Sequence, residues 1–200
     1  MTNISKNPVR RLYDWVLHWA HTPYGTPALS LIAFAESSFF PVPPDVLQIA
    51  LSISHRKRSL FYAFVSTASS VAGAYLGYLI GSLFMDAVGW KIIHFYKLER
   101  YFHLVQTYYG RNAFLYVFTA AFTPIPYKVF TITAGVCSIS LKTLFLASVM
   151  GRGLRFFAVG LLIHLFGERI KRFIDRYFNL LTVAFLILLV LGFWTVKYIF

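Results

Sequence analysis

The chain has 200 residues, of which 58% are hydrophobic, 19% aromatic and only 13% charged. Several stretches exceed the ~18 apolar residues that a membrane-crossing helix needs, which predicts an all-α polytopic membrane protein without a separate soluble domain. The net charge of +12 would suit nucleic acid. However, the basic residues cluster at the ends of apolar stretches, where anionic lipid headgroups lie, so we expect no nucleic-acid partner.

Cysteine and histidine give no sign of a metal or redox centre. Cys137 is the single cysteine, which excludes an intrachain disulfide, and the six histidines lack the paired spacing of metal ligands. We therefore expect no metal ion and no cofactor.

The N-terminal quarter of the chain contains an apolar segment that is too interrupted for a straight span. Residues 1–24 are basic and aromatic, which predicts a helix lying on the headgroups. Residues 29–53 are apolar but are broken by Pro41, Pro43 and Pro44. Each half has about 11 residues and so reaches roughly 16 Å, half of a hydrocarbon core of ~30 Å. The segment predicts a re-entrant helical hairpin, with a kinked span as the alternative.

A full span and an amphipathic region follow. Residues 60–84 form a full span and carry Gly73, Gly77 and Gly81 at four-residue intervals on one face, a pattern typical of close helix packing. Residues 86–111 mix charges with many Tyr, Phe and Trp residues, which predicts one or two interfacial helices.

The second half repeats this order. Residues 113–138 are apolar and broken by Pro124 and Pro126, and residues 142–166 form a second full span. A final apolar stretch without internal charge predicts a C-terminal transmembrane helix within 171–200.

These similarities amount to an internal repeat. Pro41-Val42-Pro43 and Pro124-Ile125-Pro126 are 83 residues apart, and the same shift nearly superposes the two full spans. Repeat 1 covers about 29–84 and repeat 2 about 113–167, with the interfacial helices between them. One membrane crossing separates the two broken segments, so they would enter from opposite faces as an inverted repeat, and a site would lie where the half-helices meet.

The distribution of Lys and Arg predicts the orientation. With two re-entrant segments, the face with the N-terminus, loop 55–58 and segment 168–176 holds ten of these residues and the other face six. The positive-inside rule then places the N-terminus in the cytoplasm.

Five charged residues inside the apolar stretches are the candidate site: Glu36, Asp45, Lys128, Arg152 and Arg155. A charge at bilayer depth costs at least ~2.5–3.5 kcal/mol, so such residues are candidates for function. The 83-residue shift places Asp45 on Lys128, and these opposite charges could neutralise each other across the midplane. Three cations against two acids leave one positive charge, which fits a phosphate headgroup.

Each of these residues also has a structural interpretation. Asp45 follows Pro44 and could cap a helix start, whereas Glu36 lies in the middle of an apolar run without such a role. An acid in that setting would suit proton exchange. The three cations could simply balance the acids, and Arg152 or Arg155 could extend its side chain to an interface.

The order of motifs resembles the DedA family, also called VTT-domain or SNARE-associated membrane proteins, and most closely its small YqaA-like branch. The motifs are an acid before Pro-x-Pro, the Gly73–Gly81 span, a second Pro-x-Pro with a following basic residue and Ala-Gly, and Gly151-Arg152-Gly153-Leu154-Arg155. The resemblance covers about 25–170. It implies two opposed re-entrant hairpins, a bacterial inner-membrane location and lipid translocation, since relatives are linked to undecaprenyl phosphate recycling, phosphatidylethanolamine movement and phospholipid scrambling.

By this resemblance Glu36 and Asp45 match the hairpin acids of the family, and Arg152 and Arg155 match its later arginines. Lys128 is a departure, because many members carry arginine after the second Pro-x-Pro. Lysine lacks the two-pronged guanidinium that suits phosphate.

The resulting hypothesis is translocation of a phosphate-bearing lipid, with protons as a candidate coupling ion, by a protein that is not an enzyme. No nucleophile motif of a hydrolase is present. A secondary transporter of a small anion is one alternative. The other is a non-catalytic assembly factor that binds membrane partners through the Gly73–Gly81 face. A homo-oligomer is compatible with the sequence, which does not determine the oligomeric state.

Overall fold

The computed structural model describes Trp19 and residues 22–40, 42–97, 99–123 and 125–167, and within these residues the chain is helical without strands. The helices in chain order are α1 (Gly25–Ser38), α2 (Asp45–Ser54), α3 (Ser59–Phe84), α4 (Trp90–Phe95), α5 (Glu99–Arg111), α6 (Ala113–Phe122), α7 (Tyr127–Val136) and α8 (Leu141–Phe166). Pro41 and Pro124, most of the predicted helix at 1–24 and the predicted helix within 171–200 lie outside the described residues.

Both apolar segments that contain prolines are broken into two short helices. Helix α1 ends at Ser38, where the amides of Phe39 and Phe40 both donate to the carbonyl of Ala35. Helix α2 begins at Asp45 after Pro43 and Pro44, while Pro126 directly precedes α7. Because α2 and α7 have 10 residues each, each reaches only ~15 Å. The breaks predicted from the prolines are confirmed.

Two helices are long enough to cross a membrane. Helices α3 and α8 have 26 residues each, which corresponds to ~39 Å and exceeds a ~30 Å hydrocarbon core. They match the two predicted full spans within a few residues. All-helical structure and two membrane-length helices are thus established for the described part of the chain.

The first long helix continues beyond its predicted end. A π-helical turn at Met85–Gly89 leads directly into α4, so the helical path runs to Phe95. It then turns at Lys97, which has a φ of 52°, before α5 begins at Glu99. Residues 86–95 therefore continue the first long helix, because no proline interrupts the chain there and the extra residue of a π turn is absorbed inside the helix.

The helices repeat at the interval seen in the sequence. A shift of 83 residues carries α2 onto α7 and α3 onto α8 with an offset of one residue at each end. The two long helices run antiparallel, since a Cβ at Gly160 would lie 3.0 Å from the carbonyl oxygen of Ser59, and one at Gly153 would lie 3.8 Å from Cγ2 of Thr67. Equivalent helices that run in opposite directions are what an inverted repeat requires.

The predicted glycine face of α3 packs against other helices of the same chain. A Cβ at Gly73 would overlap the carbonyl oxygen of Phe34 on α1, and one at Gly81 would overlap that of Ile132 on α7. At Gly77 a Cβ would collide with the side chain of Thr131. The three glycines therefore allow the short helices of both units to approach α3 closely.

Arg56, in the short turn after α2, joins that turn to the end of α8. Its Nε donates to the carbonyl of His164 at 2.7 Å, and its Nη2 donates to the carbonyl of Leu165 at 2.7 Å. The chain then leaves α8 at Gly167 with a φ of 41°. A helix leaves its last four carbonyls without internal partners, and Arg56 supplies donors for two of them.

We expect Gly73→Ala to destabilise the protein by about 1–3 kcal/mol, the usual range for overpacking a tight contact, because α1 must move away from α3. Gly153→Ala is the matched control, since its Cβ meets only ordinary van der Waals contact at 3.8 Å. Thermal unfolding of the purified protein in detergent measures both. Equal midpoints for the two variants would contradict the close approach at Gly73.

Candidate functional site

Two ion pairs connect the broken segment of the first unit to α8. Arg152 donates through Nη2 to Oε2 of Glu36 near the end of α1. Arg155 contacts Asp45 with both prongs, from Nε to Oδ1 at 3.0 Å and from Nη2 to Oδ2 at 2.9 Å. The arginines are three residues apart and so lie on one face of α8, and the acids flank the break between α1 and α2.

The Glu36–Arg152 pair is deeply enclosed. The Arg152 side chain is 2% exposed, and its guanidinium carbon lies 4.3 Å from the centre of the Tyr127 ring and 5.6 Å from that of Phe156. A buried charge without a partner is costly, whereas a paired guanidinium over an aromatic face is tolerated. The carboxylate of Glu36 is therefore needed as long as Arg152 stays in this position.

Hydroxyl groups surround Glu36 on the side of α3. The hydroxyls of Ser37 and Ser70 lie 2.6 Å apart, and Ser37 Oγ is 3.4 Å from Oε2 of Glu36. Thr131 on α7 donates to the carbonyl of Ser37 at 3.1 Å. Polar contacts thus join α1, α3 and α7 at Ser37, the residue next to Glu36.

Arg155 links the two broken segments. Besides its two contacts with Asp45, its Nη1 donates to the carbonyl of Thr123 at 2.9 Å, directly after the end of α6. The carbonyl of Thr123 is free to accept because α6 ends there and its backbone becomes extended. One guanidinium therefore contacts both helix breaks, and a change in its partner would alter the hydrogen bonds at both breaks.

Lys128 is placed differently from the sequence-based interpretation. Asp45 pairs with Arg155 and not with Lys128, and none of the ion pairs among the described residues includes Lys128. The charges therefore do not follow the repeat, since the residue that the 83-residue shift relates to Arg155 is Ala72, which carries no charge. Lys128, half-buried at the start of α7, is the positive charge left over from the two pairs.

Sequence reasoning located the charges but not their surroundings. Ser37, Ser70 and Tyr127 were not predicted as site residues. Ser37 and Tyr127 could have been found from their positions, since each is adjacent to a charged candidate. Ser70 had no such signal, because only the packing of α3 against α1 brings its hydroxyl to Ser37.

Comparison with known proteins places these features in a family context. The family model described as VTT domain matches residues 40–165. An uncharacterized protein of Haemophilus influenzae is 30% identical over 186 residues, covering 93% of this chain and 96% of the relative. A second uncharacterized protein, from Histophilus somni, is 30% identical over 148 residues, covering 74% of this chain and 77% of the relative. No solved structure matches the chain.

The pairing of Asp45 can be tested by a double-mutant cycle. We expect Asp45→Asn and Arg155→Gln to show a coupling free energy of about 0.5–3 kcal/mol, as residues in direct contact do. The same cycle with Lys128→Gln in place of Arg155→Gln should give a coupling near zero. Thermal unfolding in detergent provides the values. A larger coupling with Lys128 would restore the pairing expected from the repeat and refute the geometry described above.

Proposed function

We propose that this chain, which belongs to the VTT-domain (DedA) family of membrane proteins, moves a lipid with a phosphate headgroup across the membrane. Family membership and two membrane-length helices make it a membrane protein with a transporter-like role. The observation that carries the finer proposal is the pair of carboxylate–arginine contacts between the first helix break and α8.

The two ion pairs would act as an exchange site for phosphate. Guanidinium binds phosphate and carboxylate with the same two-pronged geometry. Protonation of Glu36 or Asp45 would remove the negative charge that holds Arg152 or Arg155. A lipid phosphate would then take the place of the carboxylate, and loss of the proton would return the arginine and release the headgroup.

The helix breaks support the proposal because they supply further partial positive charge. Helices α2 and α7 both begin directly after a break, and the first turn of a helix presents backbone amides that favour anions. Lys128 lies in the first turn of α7 and adds a full charge there. A headgroup at the meeting point of the two breaks would thus face Arg155, Lys128 and two helix starts.

The short helices would provide the route for the lipid tails. We propose that α1–α2 and α6–α7 form two opposed re-entrant hairpins, since helices of 10 residues cannot cross the bilayer alone. Where a hairpin turns back at half depth, the acyl chains could remain in the bilayer while the headgroup passes. The resemblance to bacterial family members implies an inner-membrane location, and the distribution of Lys and Arg favours a cytoplasmic position for the loop at 55–58.

Purified protein in proteoliposomes tests translocation directly. We expect the wild type to flip labelled undecaprenyl phosphate or phosphatidylethanolamine. Glu36→Gln should reduce the rate by about 10²-fold or more. The reason is that a permanently neutral side chain cannot alternate with phosphate as the negative partner of Arg152. Glu99→Gln is the matched control, since Glu99 pairs with the exposed His94 away from the site. Normal flipping by folded Glu36→Gln or Arg152→Ala protein would refute the mechanism.

The same vesicles separate the alternatives. A small-anion transporter would take up labelled phosphate or sulfate with saturation that does not depend on lipid composition. An assembly factor would be more sensitive to Gly77→Ile than to Glu36→Gln. The structure does not favour that alternative, because Gly77 already contacts Thr131 and the backbone of Ser37 within the chain.

Orientation can be measured with single cysteines. Lys57→Cys and Lys97→Cys are placed in exposed turns on opposite sides of the first span, in a Cys137→Ala background. We expect a membrane-impermeant thiol reagent to label Lys97→Cys in intact spheroplasts and Lys57→Cys only after lysis. The reverse pattern would place loop 55–58 outside the cytoplasm.

A further inference from the structure

Buried hydroxyl groups form a line along α3 from the Glu36 site to the loop at 56–58. Ser70, Ser66 and Ser59 are all fully buried, and their spacings of four and seven residues place them on one helix face. Ser70 contacts Ser37, whose hydroxyl lies 3.4 Å from the Glu36 carboxylate. Eleven residues of helix rise ~16 Å, which is about half of the ~30 Å hydrocarbon core.

Several polar atoms of α2, α3 and α8 are buried without a partner among the described residues. They are Oγ of Ser52, Ser59 and Ser66, Oε1 of Gln48 and Nε of Arg152. By contrast, the buried hydroxyls of Ser37, Ser38 and Thr67 each donate to the carbonyl four residues before them. Buried polar groups of this kind are usually satisfied by water, which bridges about two to four of them at a time.

Helix α8 packs against both α2 and α3. The backbone carbonyl of Ser59 faces Gly160, where a Cβ would lie 3.0 Å from its oxygen, and Gln48 donates to the carbonyl of Phe156 at 2.9 Å. Gly160, Phe156 and Arg152 follow each other at intervals of four residues, so they occupy successive turns of one face of α8. Helices α2, α3 and α8 therefore enclose a polar seam that runs from Arg152 to the start of α3.

We propose that this hydroxyl seam, formed by Ser37, Ser70, Ser66, Gln48 and Ser59, conducts protons through water between the loop at 56–58 and Glu36. Each hydroxyl or water accepts one proton as it releases another, so no group is consumed. The Glu36 carboxylate takes up the proton and becomes a neutral carboxyl, which leaves Arg152 as an uncompensated cation; the reverse transfer restores the pair.

The seam adds a proton route to the proposed function. It rests on that function because protonation of Glu36 is the event that would free Arg152 for phosphate. Among the described residues, charged and titratable groups of two helices act on Glu36. Helix α8 contributes Arg152 and Arg155, and α7 contributes Tyr127. On α3, the hydroxyl of Ser70 contacts the hydroxyl of Ser37, which lies next to the Glu36 carboxylate. The polar route along α3 therefore begins at Ser70.

The matched variants are Ser66→Val and Thr67→Val. Ser66→Val removes an unpartnered hydroxyl in the seam and fills its space with methyl groups. Thr67→Val removes the neighbouring hydroxyl with little change in volume, and that hydroxyl is already bound to the carbonyl of Ala63 at 2.8 Å. If Ser66→Val does not fold, Ser66→Ala and Gln48→Leu replace it.

Infrared spectroscopy of the full-length protein in bilayers measures the proton pathway without any lipid movement. The carboxyl C=O band of protonated Glu36 is assigned by its loss in Glu36→Gln, and its shift after mixing with D2O gives the exchange rate. We expect Ser66→Val to slow this exchange by at least about tenfold, as loss of a positioned proton carrier does, and Thr67→Val to leave it unchanged. Equal rates, or no Glu36 band at any pH at which the protein stays folded, would overturn the proposal.

Flipping assays on the same variants distinguish this inference from the proposed function. Lipid flipping by the wild type together with unimpaired exchange in Ser66→Val would reject the seam and leave the translocase in place. Slow exchange in Ser66→Val with no flipping of any lipid would support the seam and reject the translocase.

Discussion

The requirement that a buried arginine keep a negative partner organises this structure. Arg152 is almost completely enclosed, and its neighbours apart from Glu36 are aromatic rings and a serine hydroxyl. Removing either charge would leave the other in a poorly solvated place. The positions of α1, α2 and α8 are therefore coupled, since the acids that flank the first break must reach the arginines on α8.

Close backbone contact makes that arrangement attainable. Glycines on α3 let α1 and α7 approach until their carbonyls touch the helix surface, which brings Ser37, Ser70 and Thr131 within hydrogen-bonding distance of each other's chains. Larger residues at these positions would increase the distance of the short helices from α3, and Glu36 would lose the nearby hydroxyls. Packing and polar chemistry are thus parts of one constraint.

The two units have the same order of helices but different charged residues at equivalent positions. The residues that the 83-residue shift relates to Glu36 and Arg152 are Thr119 and Ser69, and Asp45 and Arg155 correspond to Lys128 and Ala72. Acids are therefore confined to the first unit, and the second contributes only cations to the site. This asymmetry gives the centre a surplus positive charge at Lys128, while each arginine has a carboxylate partner.

Much of the architecture could be predicted from sequence because it depends on local signals. Prolines ended α1 and preceded α7, apolar length marked α3 and α8, and the repeat interval fixed the register of the second unit to within one residue. The continuation of α3 through the π turn to Phe95 was missed, since charged and aromatic residues near a span end suggest an interface whether or not the helix stops there.

For the site, the sequence by itself determined which charged residues are expensive to bury, and so identified Glu36, Asp45, Lys128, Arg152 and Arg155 as candidates. Only the tertiary structure decided their partners. The repeat suggested Asp45 with Lys128, but the choice depends on which side chains of α8 face the break, and that follows from the antiparallel packing of α3 and α8. Pairing across more than 100 residues has no local signature, because it is fixed by helix contacts and not by neighbouring residues in the chain.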